Sequence, residues 1–185
     1  MTVQDLSQFR LPPGFRGRPA LVVQLWWLVQ ASLFRWSPQF LNSWRAWLLR
    51  RFGASIGRQV VLRPTATFTY PWKISLGDHV WIGEDAILYS LGDITVGHDS
   101  VVSQGAHLCA GDHDYRQVAF PIRARPIHIG AEVWIGAEVF VAPGVRIADG
   151  AVVGARSAVF QDLPAGMVCF GSPCRPVKPR ERAAP

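Results

Sequence analysis

Residues 127–163 read IHIGAEVWIGAEVFVAPGVRIADGAVVGARSAVFQDL, and an aliphatic residue returns at every sixth position: Ile129, Ile135, Val141, Ile147, Val153 and Val159. Upstream the same beat runs Leu76, Ile82, Leu88 and, after a two-residue slip, Val96, Val102, Leu108. Glycine often follows at once, as at Gly83, Gly97, Gly130 and Gly136, and a small or apolar residue falls four places later. Helices repeat near 3.6 residues and strands near 2, so neither gives a clean six. A hexapeptide repeat reads instead as a parallel β-helix, each repeat one short strand and a turn. Three such strands close a triangular coil whose interior is filled by the recurring aliphatics. The expected fold is therefore all-β dominated, a parallel β-helix of hexapeptide repeats with N-terminal α-helices and one long loop.

At 185 residues the chain is of ordinary single-domain size. A net charge of +6 and eight tryptophans suit a polyanionic ligand or an anionic membrane surface. Nucleic acid is not expected, because the arginines gather at both ends and no recognised nucleic-acid motif is present. Three cysteines without metal spacing point to a reducing cytoplasm and no disulfide framework. The polar, proline-rich first eighteen residues do not read as a signal peptide.

Pro19 to Trp36, PALVVQLWWLVQASLFRW, is slightly short for a membrane span and holds Gln24 and Gln30. A second helix is expected from Ser37-Pro38, with an apolar stripe of Phe40, Leu41, Trp44, Trp47 and Leu48 and an end at Gly53. These helices either cap the exposed end of the coil or lie at a bilayer interface, where tryptophan and arginine both favour the headgroup zone. The organisation is thus 1–55 helical, 56–163 β-helix and 164–185 a basic tail whose last few residues are expected to be disordered. Pro64 to Trp72 breaks the beat once. A second break, the loop 109–126, is of the length that usually carries function. It holds Asp112-His113-Asp114-Tyr115, in which flanking aspartates could orient the imidazole as a general base.

The chain resembles the hexapeptide-repeat O-acetyltransferases, closest to the colanic acid biosynthesis acetyltransferase type. The resemblance rests on LLRRFGASIG (48–57), YPWKISLGDHVWIGEDAILYS (70–90), SQGAHLCAGDHDY (103–115) and residues 127–178. It implies a left-handed β-helix, a homotrimer with sites between subunits, acetyl-CoA as donor, a sugar hydroxyl as acceptor, and no metal. By matching motif, His113 is the catalytic base. Trp134, Ala137 and Ala155 line the pantetheine channel, and Arg175 and Lys178 meet the nucleotide phosphates. Where small-sugar members carry an asparagine and an aspartate, this chain has Gly83 and Leu91. The acceptor is therefore expected to be a unit of an exopolysaccharide or other cell-surface glycan, lipid-linked or nucleotide-linked. Glu84, Asp85, Tyr89 and Asp93 are the polar candidates to bind it. That implies a cytoplasmic enzyme, working at the inner face of the membrane if the helices bind there.

Two rivals share the scaffold. A zinc-dependent carbonic-anhydrase-like enzyme needs three imidazoles on adjacent coils with a close His-x₄-His pair, whereas five residues separate His107 from His113. A non-catalytic trimeric scaffold would bind coenzyme without transferring acetyl.

Overall fold

The computed structural model describes residues 2–181, and its centre is a three-faced parallel β-helix. The first face stacks Ser55–Ile56, Ile74–Leu76, Ile94–Val96, Ile127–Ile129 and Arg146–Ile147. The second stacks Val61–Leu62, Trp81–Ile82, Val101–Val102, Trp134–Ile135 and Val152–Val153. The third stacks Thr67–Phe68, Ile87–Tyr89, His107–Cys109, Phe140–Val141 and Ala158–Val159. In register, Leu76, Val96, Ile129 and Ile147 form one inward column, and Ile82, Val102, Ile135 and Val153 another. These aliphatics are buried, so the six-residue beat is the core. Adjacent coils approach closely. A Cβ on Gly136 would stand 2.7 Å from the nitrogen of Ala155, which explains glycine after that strand.

The beat also runs through a stretch expected to break it. Ile56, Leu62 and Phe68 are six residues apart and form the first coil, with an aromatic in place of the third aliphatic. The interruption is only the short turn Pro71–Lys73.

A first coil has an open edge of unpaired backbone groups, which must be covered. The helices α1 (Ala20–Val29), continued by a π-helical turn Gln30–Phe34, and α2 (Asn42–Arg51) cover it. Trp26 Nε1 donates to the carbonyl of Phe68 at 2.7 Å, and Gln30 Oε1 accepts from the Phe68 N–H at 2.7 Å. Asn42 Oδ1 accepts from the Leu62 N–H at 3.1 Å, and Arg45 Nε donates to the Leu62 carbonyl at 2.6 Å. Arg50 serves the carbonyl of Ile56. Each strand of the first coil is thus terminated by a helix side chain, and Trp26 and Phe34 extend the core. Capping is what the buried sides of these helices do.

Three local expectations are corrected. The helix α2 begins at Asn42 rather than Pro38, because Ser37 Oγ donates to the Phe34 carbonyl and accepts from Arg45, holding 37–41 in a turn. Its buried face is Arg45, Ala46, Leu48 and Leu49, leaving Phe40, Trp44 and Trp47 exposed. Gly53, at φ +94°, does close the helix. The loop 109–126 contains an antiparallel pair, Gly111–His113 with Ile122–Ala124, and is an arm rather than irregular chain. The basic tail folds as a hairpin, Met167–Gly171 with Cys174–Pro179, whose first strand joins the second face beside Val152–Val153. The expectation of terminal disorder falls on 182–185, outside the described residues.

Candidate active site

The arm springs from the corner between the third and first faces and ends its outgoing strand at His113. Two aspartates flank that histidine, but neither orients it. Asp112 is bound by Arg123 at 2.8 Å and Arg125 at 2.6 Å. Partial burial pushes its carboxyl up, yet these arginine hydrogen bonds hold it below the usual carboxylate range. Asp114 is bound by Arg116 and Gln117, which lower it to about 2. Both aspartates brace the arm. The imidazole is held instead by Phe120, whose carbonyl lies 2.9 Å from Nδ1 and whose ring stacks on it at 4.3 Å. A carbonyl can only accept, so Nδ1 carries the proton and Nε2 presents its lone pair.

A groove of about 240 Å³ runs along the corner between the second and third faces. Trp134, Ala137 and Ala155 all line it, with Ser103 and Gly154. The Trp134 indole is half exposed and fixed by a 3.0 Å hydrogen bond from Nε1 to Ser103 Oγ. Small residues on both walls leave room for a thin chain close to the backbone. Arg175 and Lys178 lie exposed on the tail hairpin, opposite Phe170 and Val168 and two strands beyond Val152–Val153. The five expected donor residues thus share one face and its edge.

A second groove adjoins the first across Ser103 and Gln104 and is lined by Arg63, Trp81 and Glu84. Trp81 was not anticipated, although VWIG occurs at both 80–83 and 133–136, so the repeat itself marks the position. The four acceptor candidates do not converge within the chain. Glu84, ion-paired to Arg63 at 3.1 Å, and Asp85 sit at the groove corner. Tyr89 packs on the small cluster of Val23, Tyr70 and Leu91, as does Ile122 of the arm, and the backbone carbonyl of Asp93 accepts from the N–H of Ile127 where the arm ends.

His107 lies in an aromatic column between Tyr89 and Phe140, where burial depresses its basicity. Among the described residues no group of three or more His, Cys, Asp or Glu is arranged to hold a metal ion.

Comparison with known proteins agrees with the fold. Residues 126–161 match the family described as bacterial transferase hexapeptide (six repeats). The chain is 57% identical over 178 residues to the protein named colanic acid biosynthesis acetyltransferase WcaF in Escherichia coli (strain K12), covering 96% of this chain and 98% of that one. It is 33% identical to Nodulation protein L of Rhizobium meliloti (strain 1021), over 72% of this chain and 74% of that one. A maltose O-acetyltransferase from Clostridium difficile 630 superposes with a TM-score of 0.80 at 25% identity, over 89% and 90% of the two chains. The fold and these relatives define a hexapeptide-repeat acetyltransferase of the left-handed β-helix class. Within that class, the chain belongs to the colanic acid biosynthesis acetyltransferase family.

Proposed function

We propose that the protein transfers acetyl from acetyl-CoA to a sugar hydroxyl of a cell-surface glycan, with His113 as general base. The observation that carries this is the Nδ1-to-Phe120 hydrogen bond, which leaves Nε2 free to accept a proton. Nε2 takes the hydroxyl proton as the oxygen attacks the thioester carbonyl. The tetrahedral intermediate then collapses, breaking the carbon–sulfur bond, and the departing thiolate takes the proton back from the imidazolium. General-base help of this kind contributes roughly 10²–10⁴-fold. Trp134, Ala137 and Ala155 hold the pantetheine arm, and Arg175 and Lys178 meet the nucleotide phosphates, where a guanidinium offers bidentate contacts.

The site is completed between copies in a homotrimer. Support comes from topology: the arm leaves one corner of the prism and the donor groove runs along another. Joining the two in this way gathers Tyr89 and Asp93 from the arm side with Glu84 and Asp85 from the groove side around the acceptor. The relative at 57% identity is named for colanic acid biosynthesis, which favours an exopolysaccharide unit, carried on lipid, as acceptor. The three free cysteines suit a cytoplasmic enzyme.

The test is release of CoA thiol from acetyl-CoA with lipid-linked glycan units as acceptors, comparing the protein with His113→Ala. Acceptor-dependent release that His113→Ala lowers at least a hundredfold is expected. Release unaffected by His113→Ala would overturn the assignment.

A further inference from the structure

From residue 6 to residue 77 the chain contains no aspartate or glutamate, yet ten of its 19 basic residues lie there. Some of that charge is spent inside the fold. Arg45 is buried against carbonyls, Arg58 pairs with Asp78 and Arg63 with Glu84. Arg18, Arg35 and Arg51 are exposed, and their side chains make no hydrogen bond or ion pair among the described residues.

These arginines border an apolar surface that is continuous from contact to contact. At one end an open groove of about 680 Å³ is walled by Arg18, Val22, Leu25 and Arg51. One helical turn back from Arg51 is Trp47, whose ring stacks on Trp44 at 5.1 Å. Trp44 in turn lines a second groove with Leu33, Trp36 and Leu41. Leu21, Trp36 and Phe40 are about 80% exposed, far more than a packed core surface leaves. The opposite sides of the same helices are the ones that seal the first coil.

We infer that this face is a docking surface for an anionic phospholipid bilayer, with the indole and aliphatic side chains in the interfacial zone and the arginines on headgroup phosphates. Charge decides the occupant. A second copy presenting the same face would set uncompensated arginines against arginines, and a duplex nucleic acid offers nothing to exposed leucines. A bilayer supplies both the negative potential and the apolar layer. No helix among the described residues is long and apolar enough to span, so the association is peripheral. This inference does not depend on acetyl transfer, and its test needs no turnover.

The full-length protein is sedimented with vesicles of phosphatidylcholine alone and of phosphatidylcholine with about one third phosphatidylglycerol. Binding at least tenfold tighter to the anionic vesicles is expected, with a blue shift of tryptophan emission and loss of binding at high salt. Each arginine reversed is expected to weaken it about fivefold, so Arg18→Glu/Arg35→Glu/Arg51→Glu abolishes it. Trp36→Ser/Phe40→Ser is expected to keep the salt-sensitive contact and lose the blue shift. Unchanged acetyl-CoA binding checks that the variants are folded. Failure of the folded wild-type protein to sediment with anionic vesicles overturns the inference, as does equal binding by the triple arginine variant. Preferential retention by RNA over anionic vesicles would overturn it in favour of a nucleic-acid partner.

Discussion

The imidazole of His113 stacks on the ring of Phe120 and places its Nδ1 2.9 Å from the carbonyl of that same residue. One residue thus fixes both the tilt of the base and its tautomer. Its own backbone is unusual, with φ at +48°, so the carbonyl is aimed by a turn that side chains rarely adopt. The carbonyl would be lost to the imidazole if that turn relaxed. Phe120→Ala, which keeps the carbonyl but removes the stacking ring, is expected to lower kcat about tenfold and leave the affinity for acetyl-CoA unchanged. Steady-state kinetics check this, and a change confined to the donor KM would contradict it.

Removing the base itself is the larger effect. His113→Ala is expected to reduce kcat at least a hundredfold while thermal unfolding stays within a few degrees of wild type, since the side chain is only partly buried, on an arm outside the main core. Turnover and a melting curve on the same sample separate the two readouts.

Ala155 lines the donor groove across from Trp134. Ala155→Trp is expected to fill it and weaken acetyl-CoA binding more than tenfold, measured by calorimetry. Mixed with His113→Ala and reassembled, it should restore a fraction of the activity, because one copy then supplies an intact groove and another an intact base. No recovery from mixed oligomers would mean the site lies within one chain.

Arg45 is wholly buried and has no carboxylate partner among the described residues. It is held by the Leu62, Pro38 and Gln39 carbonyls, Ser37 Oγ and Asn42 Oδ1. Burial without a counter-charge pulls its pKa below the ordinary arginine value. Arg45→Met strands several buried acceptors at once, and each unsatisfied group costs about 1–3 kcal/mol. A loss of about 3 kcal/mol is expected, read from urea midpoints, with the helices detaching first by hydrogen exchange.

The β-helix was legible because its core is written in a period no other element has, and the same registers appear in the structure. The helical cap was legible only in outline. Arg45 and Gln30 look like surface residues in the chain, and nothing local shows that they meet strands 17 and 38 residues later. Phe68 was passed over because an aromatic stands where the repeat usually has an aliphatic. In the candidate site, His113 was singled out through its motif, but its partner was misread. Aspartates next to a histidine are visible in sequence, whereas a backbone carbonyl seven residues away is brought in only by the arm's antiparallel pairing.

Acid should loosen that arm. The folded-state pKa of Asp114 is depressed to about 2, so its stabilising contribution is present above the ordinary carboxylate value near 4 and is lost as pH falls toward 2. Asp112, also depressed, adds to the loss in the same direction. Exchange of the 111–124 amides is expected to rise between pH 4 and pH 2 before the coil does, and Asp114→Asn should remove much of that dependence.

The most direct test of the central claim is calorimetric titration of the purified protein with acetyl-CoA, which requires no knowledge of the acceptor. Saturable binding at one site per chain, weakened by Ala155→Trp and unaffected by His113→Ala, is the predicted result. A folded protein that does not bind acetyl-CoA, or binds it equally well with the groove filled, would contradict the account.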